Sequence, residues 1–104
     1  MAVLAVFTGK GITKKMYEAL RSEVKWEKKH PKGVLVHSSS FDEKGDLRVV
    51  DVWESPEAMD AFFESRLMPA MQKLKIPAPA AEVHLLHNLN LYPAADGYKL
   101  AKSK

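Results

Sequence analysis

The 104 residues include no cysteine, which removes disulfide cross-links, thiolate metal sites and cysteine nucleophiles from the chemistry open to this chain. Long hydrophobic runs are also missing. No window approaches the roughly 20 apolar residues of a membrane-spanning helix, and Ala2 to Phe7 carries neither a basic leader nor a small-residue cleavage site, so a cytoplasmic protein with no membrane partner is expected. Glycine is sparse: Gly9-Lys10-Gly11 is a short turn without the longer spacing of a phosphate cradle, and nucleotide binding is not indicated. Ser38-Ser39-Ser40 has no nucleophile elbow around it and reads as structural.

What is present fits one domain of ordinary composition, 46% apolar and 28% charged. The formal charge of +3 gathers in a first helix (Lys14, Lys15, Arg21, Lys25, Lys28, Lys29) and in the tail (Lys99, Lys102, Lys104). Glu18, Glu23 and Glu27 interleave with the former, so it reads as a solvated face, and no nucleic-acid partner is expected.

The continuous apolar run Ala2 to Phe7 has the length of a strand buried on both faces. From Thr13, a candidate N-cap, Met16, Leu20 and Val24 recur beside Tyr17 and predict an amphipathic helix ending before His30-Pro31-Lys32-Gly33. Val34 to Phe41 and Leu47 to Trp53 are rich in β-branched and aromatic residues and predict a hairpin around Asp42 to Asp46. Ser55 and Pro56 then open a second helix with an apolar face of Met59, Phe62, Phe63, Leu67, Ala70 and Met71, which Pro69 must kink or interrupt. A stiff Pro77-Ala78-Pro79 connector leads to a last strand, Glu82 to Asn88, and Leu91 to Lys104 reads as a tail. This order predicts an α+β, ferredoxin-like βαββαβ domain over residues 1–90, with an antiparallel four-stranded sheet and both helices on one side. The first and third strands are nevertheless apolar on both parities, so the uncovered face also needs burial, and a homodimer of stacked sheets is expected.

Two hairpin registers are open. A three-residue loop Glu43-Lys44-Gly45, the favoured one, pairs Phe41 with Leu47, His37 with Asp51 and Leu35 with Trp53; a two-residue loop Lys44-Gly45 pairs Phe41 with Arg48 and Ser38 with Asp51. The favoured register sets an imidazole beside a carboxylate, next to an indole that could wall a flat ligand. His37, Asp51 and Trp53 are therefore the candidate catalytic residues, with the carboxylate fixing the histidine tautomer of a general base; the alternative is a pair that merely satisfies itself. Tyr17, Phe62, Phe63 and His87 are candidates for a substrate pocket between helices and sheet. His84 and His87 point to opposite faces of a strand, and neither a metal nor a cofactor is expected.

Val52-Trp53-Glu54-Ser55-Pro56-Glu57-Ala58-Met59, followed by Phe62 and Phe63, resembles the strand-to-helix signature of the antibiotic biosynthesis monooxygenase-like group of dimeric α+β barrels. The resemblance covers residues 2–88 in layout. It implies cofactor-independent monooxygenases of aromatic and quinol substrates, haem-degrading enzymes, isomerases and stress-related proteins as functional relatives. Haem degradation is not indicated: the Asn that the resemblance implies for that branch on the first strand has no counterpart in Ala2 to Phe7, Phe62 stands where its Trp is expected, and its His position falls near Gln72. Two functions remain open: a cofactor-independent monooxygenase of a small aromatic or quinol, and a non-catalytic small-ligand-binding or stress-related dimer.

Overall fold

The computed structural model describes residues 1–98. The tail lysines Lys99, Lys102 and Lys104 lie outside the described residues. Four strands, β1 (Val3–Gly9), β2 (Val34–Phe41), β3 (Leu47–Trp53) and β4 (Ala80–Leu85), form one antiparallel sheet in the order β2-β3-β1-β4. Helix α1 (Lys14–Val24) joins β1 to β2, and a broken helix joins β3 to β4: α2 (Pro56–Phe62), a π turn (Phe63–Leu67) and α3 (Met68–Leu74). This is the α+β, ferredoxin-like arrangement, with a 3-10 turn at Pro93–Tyr98 following it.

Local chemistry sets each boundary. Thr13 accepts from the Met16 amide and Ser55 from the Ala58 amide, so both helices start on hydroxyl caps, the second with Pro56 in its first turn. Helix α1 stops at Val24, several residues before His30, because Lys25 takes the left-handed conformation (φ 60°) and returns its N–H to the Arg21 carbonyl. Pro69 has no N–H to give the Ser65 carbonyl, and the ladder widens just ahead of it into the π turn, where the Met68 N–H reaches the Phe63 carbonyl. That expansion sits where Phe63 and Leu67 meet the space between helix and sheet.

The hairpin takes the three-residue loop. Gly45 is left-handed (φ 82°), and the Asp42 carboxylate accepts from the amides of Lys44 and Asp46. Phe41 pairs with Leu47 and His37 with Asp51, but an irregularity between Val34 and Val36 sets Val34, not the expected Leu35, opposite Trp53. Leu35 is the extra residue of a bulge and is 44% exposed. The last strand also shifts: it begins at Ala80, directly after the proline connector, and ends at Leu85, short of His87 and Asn88.

The helices cover one face of the sheet. Val3, Ala5, Phe7, Leu47, Val49 and Trp53 pack there against Tyr17, Leu20 and Val24 of α1 and Met59, Phe62, Ala70 and Met71 of the broken helix. On the opposite face the register aligns Leu4 with Val52 and Val6 with Val50, and Val36 with Val52 from the other side. Leu4 and Val6 are half-buried and Val50 is exposed. Among the described residues, no helix is long and apolar enough to cross a membrane.

Candidate functional site

Strand parity decides where the one buried charged side chain among the described residues lies. Asp51 alternates with Val49 and Trp53, so it faces the helices, with Ala5 on β1 and His37 on β2 as its lateral neighbours. Ala5 is fully buried and its small side chain leaves room for the carboxylate. An ionised carboxylate in such a place is costly unless its oxygens are engaged. Both are: Oδ1 lies 2.7 Å from His37 Nδ1, and Oδ2 accepts from the Trp53 indole N–H at 3.2 Å. His37 Nε2 lies in turn 2.8 Å from the Tyr17 hydroxyl. A hydrogen-bonded chain thus links Trp53, Asp51, His37 and Tyr17, with the partly exposed His37 between buried neighbours, and no buried side-chain nitrogen or oxygen among the described residues lacks a partner.

Its polarity follows from the groups. A carboxylate only accepts, so His37 Nδ1 must donate, and in the neutral ring Nε2 is left with a lone pair that takes the Tyr17 O–H. Burial pushes the Tyr17 phenol above its ordinary value; hydrogen bonding to Ser39 and the positive charge of Arg21 pull the other way, and Glu27 and Glu18 add to the rise. The phenol therefore holds its proton in the neutral range.

Aromatic rings fix these groups in place. Tyr17 and His37 lie nearly parallel, 10° apart with centroids at 6.3 Å, and Phe41 meets the Tyr17 ring edge-on at 6.0 Å. Trp26 crosses His37 at 5.3 Å and Tyr17 at 5.6 Å. Sequence reasoning passed over Trp26, since it stands in the charged stretch Lys25 to Lys29, off the four-residue spacing of the helix. The turn after Lys25 folds it back over the sheet.

The chain opens on a cavity of about 1410 Å³ between the helices and the sheet. Tyr17, Trp26, His37, Asp51 and Trp53 line it together with Phe62 and Phe63, as do Leu91, Tyr92 and Tyr98 near the C-terminus. His87 is not part of this lining: it lies past the end of β4 and is exposed. Trp53 is 1% exposed with its N–H committed to Asp51, so of the two indoles lining the cavity Trp26 is the more exposed.

No protein-family model and no curated protein matches this chain. Solved structures do. A protein of Chloroflexus aurantiacus named as a candidate antibiotic biosynthesis monooxygenase superposes with a TM-score of 0.60 at 16% identity, over 86% of this chain and 97% of that one. A conserved protein of Methanosarcina mazei Go1 gives 0.63 at 11% identity, over 82% and 92%. SnoaB of Streptomyces nogalater, a cofactor-independent oxygenase, gives 0.53 at 17% identity, over 88% and 95%. The chain therefore has the fold of the antibiotic biosynthesis monooxygenase-like proteins, which fixes its architecture and leaves its reaction to the site.

Proposed function

We propose that this protein is a cofactor-independent monooxygenase of a small aromatic, quinol-type substrate, working as a homodimer, in which His37 is the proton acceptor and Asp51 and Trp53 position it. The observation that carries this reading is the hydrogen-bonded chain from Trp53 through Asp51 to His37 beside an aromatic-lined cavity. An imidazole whose tautomer is held by a buried carboxylate can take a proton and keep the resulting positive charge paired. Substrate deprotonation leaves a resonance-stabilised anion that can reduce dioxygen at a ring carbon. The peroxide formed there loses water, so that one CH2 and one O2 become one C=O and one H2O. The SnoaB fold match supports this choice of reaction class. For the dimer, the support is the apolar strip of exposed Val50 and half-buried Leu4 and Val6 on the face away from the helices, which a second copy can cover by two-fold stacking.

The test is oxygen uptake and carbonyl product absorbance with hydroquinones, naphthalenediols and anthrones under air. Turnover should fall by about 10²- to 10⁴-fold in His37→Gln and Asp51→Asn; full activity in both variants would remove the assignment. A second reading, a non-catalytic ligand-binding or stress-related dimer, is favoured by the pairing of every buried side-chain polar atom among the described residues, which leaves none of them orphaned for chemistry. It predicts retention of the aromatic ligand with no oxygen consumed.

A further inference from the structure

Both nitrogens of His37 are occupied in the resting site, Nδ1 by Asp51 Oδ1 at 2.7 Å and Nε2 by the Tyr17 hydroxyl at 2.8 Å. Trp26 and Tyr17 stand against the ring. The ring is still partly exposed, but with both nitrogens engaged it has no lone pair free for a ligand. The phenol oxygen does: it donates its one proton to Nε2, the Ser39 hydroxyl takes one of its lone pairs, and one lone pair remains. Tyr17 lines the cavity from α1; Asp51 and Trp53 line it too, but both Asp51 oxygens and the Trp53 N–H are committed within the row.

We propose that Tyr17 is the catalytic residue that touches the substrate, accepting a hydroxyl proton from a phenol or enol while passing its own proton to His37. This inference rests on the general-base reading above and sharpens it to substrates with an acidic O–H. In the step, the substrate O–H bond breaks and a new O–H bond forms on Tyr17, while the original Tyr17 O–H bond breaks and an N–H bond forms at His37 Nε2. The substrate becomes its oxyanion, hydrogen-bonded to the reformed Tyr17 O–H, and the imidazolium faces Asp51. Two protons each cross one hydrogen bond, moving one unit of positive charge to His37, and no electron is transferred until dioxygen reacts.

The raised Tyr17 proton affinity agrees with this order of events, since a phenol that had already lost its proton could not protonate His37. Charges around the phenol come from Arg21, Glu18 and Glu27 of α1 and the turn after it, with Asp51 behind His37. Arg21 is bound to Glu27 and Glu18, so none of these three is free to replace Tyr17 as the proton acceptor.

The experiment uses 4-nitrophenol as probe, because its oxyanion is read directly from its visible absorbance and needs no turnover. Titrated with the full-length protein well below the probe's own pKa, the bound nitrophenol should ionise. Tyr17→Phe should bind it within about threefold of the wild-type affinity yet leave it neutral, as the phenyl ring still packs on Trp26 and Phe41. His37→Gln should also leave it neutral, for want of the final acceptor. Ionisation in Tyr17→Phe equal to wild type overturns the relay while leaving His37 as base; ionisation in His37→Gln equal to wild type overturns the base assignment itself. A wild-type protein that does not ionise the probe overturns both. Placing 3-fluorotyrosine at position 17 keeps the shape and strengthens the phenol as a donor, so it should raise the ionised fraction, and an unchanged fraction counts against direct contact.

Discussion

The two faces of the sheet are built from the same kinds of residue and do different things. On the helix side Val3, Ala5, Phe7, Val49 and Trp53 are packed into the core, and the one interruption, Asp51, is fully paired with His37 and Trp53. On the other side half-buried Leu4 and Val6 and exposed Val50 form an apolar strip that neither helix covers, beside a buried Val52. Apolar content alone does not separate them. The buried polar chain does, because a carboxylate is kept inside only where donors have been built around it, whereas an uncovered valine and leucine surface offers no chemistry and needs only a cover.

The sharpest break in that comparison is between Trp53 and Val50. Trp53→Ala opens a cavity beside Phe62 and removes a donor from Asp51, and should cost about 3–5 kcal/mol in urea unfolding. Val50→Ala, with 39% of its surface already exposed, should cost under about 1 kcal/mol when the subunit is measured at dilution. Similar losses at both sites would mean that the bare face is as tightly packed as the covered one. Next comes Val50→Lys. Sedimentation should show the wild type as a dimer and the variant as a monomer with an unchanged fold and an intact His37–Asp51 pair; a variant that stays paired would place the contact between copies elsewhere.

The smallest effect is on the alkaline limb of stability. Tyr17 has a folded pKa above its ordinary value of 10.0, chiefly through burial. Its contribution is fully present below pH 10.0 and is lost as pH rises through the higher folded value. Tyr17→Phe should therefore flatten the fall in stability above that pH without changing the acid limb, a difference visible in thermal melts across alkaline buffers. Were the two alkaline limbs to coincide, the phenol would be no more buried in the folded chain than in the unfolded one.

How much of this was legible varied with the residue. β2 and β3 could be bounded because β-branched runs stop at Asp42 to Asp46, and the His37–Asp51 pairing followed once Gly45 was read as left-handed. The same register failed at Leu35, where a bulge with no glycine to mark it shifts Val34 opposite Trp53. The end of α1 was hidden for a similar reason, since Lys25 adopts the left-handed conformation that glycine usually supplies. Trp26 carried one weak signal, an aromatic among charges, and its role depends on that unmarked turn. His87 was placed at the pocket as a polar-tipped residue of a last strand running from Glu82 to Asn88, but β4 ends at Leu85, before reaching it.

The sequence by itself determined the order of elements, the caps at Thr13 and Ser55, the break at Pro69 and the hairpin that brings His37 to Asp51, because each rests on interactions between residues near in the chain. Only the tertiary structure decided which face that pair would occupy, that Trp53 would hold Asp51 rather than a ligand, and that Tyr17 and Trp26 would close over His37. Those outcomes depend on how α1 settles across the sheet, and such packing is fixed by the shapes of all the facing side chains at once, with no local periodicity to record it.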